Sequence, residues 1–348
     1  VKVVVTAEEN DMPTIKTPIE VAIDEDVSTG TVFRIQWNET YDPDIADPVP
    51  AFALETSTYD FLLNSTNGWL IVNTGADIDY ETTPEYDLSV SFTDGTLVTF
   101  GDLKITINNV NEAPSLPSEL KNDVYAELLV VPENATTGYN LSYHIIASDD
   151  DSDNLTYSLF MDDRTAPFGI RSIPVASSTG GYPTEGVVYV TDGSKLDYET
   201  KSSYVGWLNV TDAHGLKDST RITIYVKDIN EPPVFRSGTF YYDEDDTSRQ
   251  IGSLSDLVTD PEGDSYGWSI LSIFPSKPGM FTVETGAIDY LYVSSGMLGH
   301  IDFENITTWN LTLRVTELTT TAPGPKYEVD SWVVVEINDV NDLSINSI

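Results

Sequence analysis

The 348 residues carry 57 acidic side chains against 17 basic ones, a formal net charge of -40, with 40% hydrophobic and 11% aromatic residues and no cysteine. That apolar content is enough for folded cores, two or three of them at this length, so whole-chain disorder is excluded. The charge excludes nucleic acid and anionic membrane as partners and makes cations the natural counterions, and no run approaches the ~20 apolar residues that span a bilayer.

In chain order, Val3-Val4-Val5 followed by Glu8, Asn10, Asp11 and Pro13 reads as the last strand and linker of a preceding unit, residues 1–13. Glu25 then opens a strand-like stretch, and an acidic turn, Asp42-Pro43-Asp44, follows. Next comes Ile78-Asp79-Tyr80-Glu81, then an alternating run with Tyr86, Leu88, Val90 and Phe92 on one face, the period of a half-buried strand. That strand ends at Thr93-Asp94, a second alternating strand covers Leu103 to Ile107, and the linker Asn109-Val110-Asn111-Glu112-Ala113-Pro114 closes the unit.

The same landmarks return twice in the same order. The second set is Glu133, Asp149-Asp150-Asp151, Leu196-Asp197-Tyr198-Glu199, a strand opening at Tyr204, Thr211-Asp212, a strand from Arg221 to Val226, and Asp228-Ile229-Asn230-Glu231-Pro232-Pro233. The third is Glu244, Asp260-Pro261-Glu262, Ile301-Asp302-Phe303-Glu304, the strand of Trp309, Leu311, Leu313 and Val315, Thr316-Glu317, a strand from Trp332 to Ile337, and Asp339-Val340-Asn341-Asp342. In every copy the strand-end acid lies 15 residues after the Asp of the signature. The repeats are therefore 14–112, 113–231 and 232–342, with 343–348 starting a further linker or tail. Short strands, frequent turns and no helical period predict an all-β Greek-key sandwich for each. An insertion from Thr319 to Lys326, rich in Thr and Pro, lengthens the last hairpin of the third repeat and reads as a tolerated surface loop, with partner contact as the alternative.

One Asp-x-Glu is ordinarily a solvated turn; the same acids at fixed spacing in three copies are a ligand set. Carboxylates, asparagine side chains and carbonyls are the oxygen donors of which hard Ca2+ takes six to eight, and the isolated histidines His144, His214 and His300 offer no zinc or redox site. An enzyme is not expected, because catalytic carboxylate pairs do not come in triplicate. The N-x-S/T sequons at Asn38, Asn64, Asn134, Asn140, Asn154, Asn209, Asn305 and Asn310 favour a secreted, glycosylated chain.

With its leading Glu, Asp-x-Asp turn, Asp-Tyr-Glu motif, terminal x-Asp-x and Asp-x-Asn-Glu linker, above all Asp-Ile-Asn-Glu-Pro-Pro-Val-Phe at 228–235, the chain resembles the extracellular repeats of the cadherin superfamily over essentially its whole length. The resemblance implies three tandem seven-stranded sandwiches in a linear array, with Ca2+ at the junctions between them. Its ligand pattern carries over to Glu25, Asp79, Glu81, Asn109, Asn111, Glu112, Asp149, Asp151 and Asp212 at the first junction. At the second it carries over to Glu133, Asp197, Glu199, Asp228, Asn230, Glu231, Asp260, Glu262 and Glu317. Asp42, Asp44 and Asp94 at one end, and Glu244, Asp302, Glu304, Asp339, Asn341 and Asp342 at the other, make incomplete end sites. Asn109 stands where the family has Asp, and Glu262 and Glu317 stand where Asp is usual, which predicts a weaker ion at each.

The resemblance further implies a calcium-dependent adhesion or force-transmitting segment, the extracellular part of a plasma-membrane protein of the long atypical kind. Its partners would be neighbouring repeats and another cadherin in cis or trans, with the membrane reached only through a transmembrane segment absent from this stretch. The competing reading is a microbial cadherin-like surface adhesin or polysaccharide-binding protein, with Trp37, Trp69 and Trp268 as candidate sugar platforms.

Overall fold

The computed structural model of the chain describes residues 10–15, 17–35, 51–121, 128–152, 154–174 and 184–340. Asn38, Asp42, Asp44, Trp37, Asn341 and Asp342 lie outside them.

Each landmark set folds as two facing sheets. In the first, Ile19–Asp24, Val98–Asn108, Glu85–Thr93 and Ala51–Leu54 form a four-stranded sheet in that order, opposed by the three-stranded sheet Val32–Phe33, Leu70–Val72 and Phe61–Leu63. The second repeats the plan with Thr156–Met161, Ser203–Thr211, Lys217–Lys227 and Val130–Pro132 against Phe168–Pro174, Thr184–Val190 and Asn140–Ile145. In the third, Gly238–Asp243, Glu328–Asn338, Thr308–Glu317 and Tyr266–Phe274 face Gln250–Ser253, Tyr290–Val293 and Phe281–Glu284. The all-β sandwich predicted for each repeat is the observed one, with seven strands in the two facing sheets and, in the third, a further pair, Val234–Phe235 with Val258–Thr259, among the described residues.

In all three a leading strand runs parallel to the last, with Ile19 opposite Leu103, Val130 opposite Tyr225 and Gly238 opposite Val333; in the third, Val234–Phe235 comes before it and pairs antiparallel with Val258–Thr259. The rest of each large sheet is antiparallel. Glu25, Glu133 and Glu244 were expected to open a strand. They instead follow its last residue, where the amide of each still donates to a carbonyl of the partner strand, Asn108, Lys227 and Asn338 respectively.

Period-two alternation builds the cores. Trp309, Leu311, Leu313 and Val315 are fully buried on one face of Thr308–Glu317, against Phe281, Leu291 and Val293 of the opposite sheet. Leu208 and Val210 do the same in the second sandwich, and Leu88 and Val90 in the first. The buried clusters draw on residues 15–107, 116–226 and 235–337 and share none.

The alternation also explains where the acids end up. Two residues beyond Phe92, Val210 and Val315, the next inward positions are Asp94, Asp212 and Glu317, all buried. At the opposite end of the sandwich, two residues beyond Ile23, Val131 and Tyr242, come buried Glu25 and Glu133 and half-buried Glu244. Each sandwich thus carries a carboxylate as the last member of its core face at both ends.

The insertion, Thr319 to Lys326, is largely exposed, as expected of a surface loop, but it is not free-standing: Ala322 is buried, and the Pro323 and Pro325 carbonyls accept hydrogen bonds from Asn230 in the preceding linker.

Candidate functional site

The leading Glu organises each junction in one repeated geometry. Glu25 accepts the Tyr80 amide from the Asp-Tyr-Glu segment at 2.7 Å and the Val110 amide from the linker at 2.5 Å. Glu133 accepts Tyr198 and Ile229 amides, both at 2.7 Å. Glu244 accepts Phe303 at 2.8 Å and Val340 at 2.9 Å. One carboxylate thereby ties a loop and a linker to the end of the core.

Around it the other predicted residues converge. Oxygens of Glu25, Asp79 and Glu81 lie within 4.8 Å of one another, as do those of Glu133, Glu199 and Glu231, of Glu199, Asp228 and Glu262, and of Glu244, Asp302 and Glu304. The Asn109 amide bridges the sandwiches, donating to Glu81 at 2.7 Å and to Asp151 at 2.8 Å, while the Glu112 backbone amide reaches Asp151 at 2.9 Å. Glu231 makes the equivalent contact to Glu262 at 2.8 Å. Asp149 and Asp260 sit in the same acidic turns as Asp151 and Glu262. Asp79 and Asp197 are each held by the backbone and hydroxyl of a threonine three residues on, Thr82 and Thr200. Asp339 is exposed.

A second repeated contact joins linker asparagine to strand-end acid. Asn111 donates to Asp212 at 2.7 Å and Asn230 to Glu317 at 3.0 Å. Asn10 donates to Asp94 at 3.0 Å, which makes it a site residue that the sequence reading recognised only as linker. Asp264 is a second omission: it is buried, raises the carboxyl of Asp228, and lies four residues after Asp260 in the acidic turn, a spacing shared by Asp149 and Asp153.

The electrostatics divide the acids into two kinds. Backbone amides of Leu97 and Thr96 hold the Asp94 carboxyl down to about 2. Against the effect of burial, Asn111 and the amides of Gly215, Leu216 and His214 hold Asp212 below the usual range. The acids between sandwiches are crowded instead. Desolvation, then the charges of Glu25, Asp151 and Glu81, push Glu112 up to about 7. Desolvation followed by neighbouring carboxylates likewise raises Glu81, Glu199, Asp228, Glu231 and Glu262. Two carboxylates ~4 Å apart repel by about 1 kcal/mol even in water, and by more where water is partly excluded.

The donor set fits a hard cation on a structural criterion. Buried side-chain oxygens without a hydrogen-bond partner include Asn111 Oδ1, Glu112 Oε2, Asp228 Oδ1, Asn230 Oδ1, Asp260 Oδ2, Glu262 Oε2, Glu317 Oε1 and Asp302 Oδ1. Outside the predicted ligands, only Ser253 Oγ and Trp309 Nε1 share that condition among the described residues. Buried polar atoms are ordinarily satisfied, and the exceptions concentrate on one set of acids and amides, the donor chemistry that suits a hard cation. Asn109, neutral like Asn111 and Asn230, donates to both Glu81 and Asp151 through its side-chain nitrogen.

Of the candidate sugar platforms, Trp69 and Trp268 lie among the described residues, and both are half-buried. Trp268 lies edge-on to Phe235 and Tyr266 and donates Nε1 to Asp289, and Arg34 stacks over Trp69. Of the sequons, Asn134, Asn140, Asn154, Asn305 and Asn310 are exposed, and Asn64 and Asn209 are half-buried. No helix among the described residues is long and apolar enough to cross a membrane.

No family model matches the chain. It is 28% identical to human cadherin-related family member 2 over 184 residues, 51% of this chain and 13% of that protein. To Xenopus laevis cadherin-20 it is 26% identical over 305 residues, 81% of this chain and 35% of the relative, and to human protocadherin Fat 4 it is 26% identical over 298 residues, 81% and 5%. The chain thus spans about a third or less of these relatives. Its fold matches the protocadherin γB4 extracellular domain with a TM-score of 0.65 at 20% identity, covering 97% of this chain and 51% of the other. It matches a mouse cadherin-23 EC22-24 structure at 0.60 and 19%, covering 95% of this chain and 100% of the other. The thrice-repeated acid pattern, the parallel leading strand of each sandwich and these relatives converge: the chain is similar throughout to arrays of cadherin-superfamily repeats.

Proposed function

We propose that the chain is an extracellular adhesion segment of three units, 14–112, 113–231 and 232–342, whose two junctions are ordered by Ca2+. The orphaned buried oxygens carry the reading. Glu25, Asp79, Glu81, Asn109, Asn111, Glu112, Asp149, Asp151 and Asp212 are assigned to the first junction, and Glu133, Asp197, Glu199, Asp228, Asn230, Glu231, Asp260, Glu262 and Glu317 to the second. A bound divalent cation supplies positive charge that converts mutual repulsion of these carboxylates into shared attraction. The leading Glu fixes the Asp-Tyr-Glu loop and the linker to one sandwich; Asp151 or Glu262 holds the same linker from the next sandwich. The acids therefore couple the orientation of consecutive units. Adhesion to another cadherin follows from the family, and an extracellular location also suits the exposed sequons.

Thermal unfolding and small-angle scattering in EDTA and in millimolar Ca2+ test the proposal, at the ~10⁻⁴ to 10⁻³ M affinities of extracellular modules. The expected outcome is a higher Tm in calcium together with a change from a flexible to a stiff scattering profile. If calcium moves neither observable, the acids are solvated turns and the proposal is wrong.

A further inference from the structure

The two junctions share their acids but not their mechanical construction. At the first, the hairpin after Thr211 is short: the Asp212 amide closes directly onto the Leu216 carbonyl. Linker amides there bond to carboxylates, Val110 to Glu25 and Glu112 to Asp151, and the Asn111 side chain bonds to Asp212 and to the Glu112 carbonyl. At the second junction the corresponding hairpin carries the insertion, which crosses over the linker. The Asn230 amide donates to the Pro323 carbonyl at 3.0 Å, and its side-chain nitrogen donates to Pro325 O at 2.8 Å.

The contact is close enough to need a glycine. A Cβ on Gly324 would sit 2.7 Å from Asn230 Cβ and 3.3 Å from its backbone nitrogen. Asn230 is only 2% exposed as a result, whereas Asn111 is half-buried. Pro323 also borders a cleft lined by Tyr198, Tyr225, Lys227 and Asp228, all from the second repeat or its linker. The loop is anchored at its own base. Both Asp264 oxygens accept the Thr321 amide at 2.9 and 3.3 Å, Thr319 Oγ1 meets Ser265 Oγ at 2.8 Å, and the Lys326 ammonium donates to Leu318 O. Prolines on either side of Gly324 restrict the unbound loop and lower the entropy lost in holding this shape.

We propose that Thr319 to Lys326 is a strap that holds the second junction's linker without a metal ion, so that chelation loosens the first junction and leaves the second linker seated. What each amide bonds to makes the difference: Ile229 and Glu231 donate to Glu133 and Glu262 as their counterparts do in the first linker, and Asn230 alone is held by peptide carbonyls. Carboxylates that hold the first linker repel one another once cations are removed; peptide carbonyls of the strap carry no net charge and keep their bonds. Calcium sensitivity would then be graded along one chain, with the first junction as the responsive hinge. Only the loosening of the first junction rests on the calcium reading above.

The test is amide hydrogen exchange resolved to single residues, on the whole chain, in millimolar Ca2+ and in EDTA. Chelation is expected to speed exchange at Glu112 while Asn230 stays slower by about tenfold or more, the scale of one net hydrogen bond. Gly324→Val forces the strap off Asn230, and Thr321→Pro removes the amide that Asp264 holds; each is expected to release Asn230 in EDTA while Leu311 in the third core stays protected. The wild-type comparison decides the matter if either variant fails to fold. Asn230 exchanging as fast as Glu112 in EDTA overturns the strap, as does an Asn230 that stays protected in both folded variants. A Glu112 indifferent to calcium counts against the calcium reading alone, since release of Asn230 in the variants still reports on the strap.

Discussion

At the scale of single residues, ionisable groups show how position in the alternation decides charge. Tyr86 donates its hydroxyl to Asp60 at 3.1 Å and packs edge-on to Phe61 at 5.0 Å, and burial, then the Asp60 charge, pushes its phenol up to about 12. An unfolded tyrosine ionises near pH ~10, so the contribution of Tyr86 to the first repeat is fully present below that value and is lost as pH rises through about 12. Tyr86→Phe is expected to flatten this alkaline decline, read by denaturant unfolding at pH ~9 and ~11; an equal decline in both proteins would show that another group titrates. The acids of the junctions were legible in the sequence because they recur at fixed spacing. Asn10 and Asp264 were less so: Asn10 sits in an end linker whose strand-end acid follows 84 residues later, and Asp264 is read as one more acid in a crowded turn until its burial is known.

At the scale of the strand, a residue's neighbours are set by period two, and that period was plain in the sequence. Trp309, Leu311, Leu313 and Val315 were expected on one face and are all fully buried. Leu311→Ala removes side-chain volume from a core that cannot borrow from its neighbours and is expected to cost about 2–5 kcal/mol in the third repeat. Calorimetry should show one of the unfolding transitions moving to lower temperature; displacement of all of them together would mean that the repeats unfold as one unit. Two facts at this scale were not readable. The parallel partner of the leading strand lies across the whole repeat, and alternation is the same for either direction of pairing. The Thr- and Pro-rich composition of 319–326 is that of an ordinary loop, and only the approach of Gly324 to Asn230, 94 residues earlier, shows that it is bound.

At the scale of the chain, 57 acids against 17 bases place every repeat in the field of the others. In chelator, monovalent salt is expected to raise Tm, because screening over ~10 Å at 0.1 M weakens repulsion among junction carboxylates. In saturating Ca2+ the same salt should change Tm little or lower it; a salt response identical in the two conditions would argue that the net charge acts diffusely and not at the junctions. The parallel pairing of leading and last strands has a mechanical consequence. In the first two sandwiches the chain runs in through one of these strands and leaves at the end of the other, and in the third only the short strand Val234–Phe235 lies ahead of the pair, so tension along the polypeptide draws the two past each other lengthwise. Their ladder of hydrogen bonds is then loaded in shear, all rungs at once, and does not unzip one rung at a time. A sandwich wired this way yields late and abruptly, and slack in the chain is taken up first by its linkers.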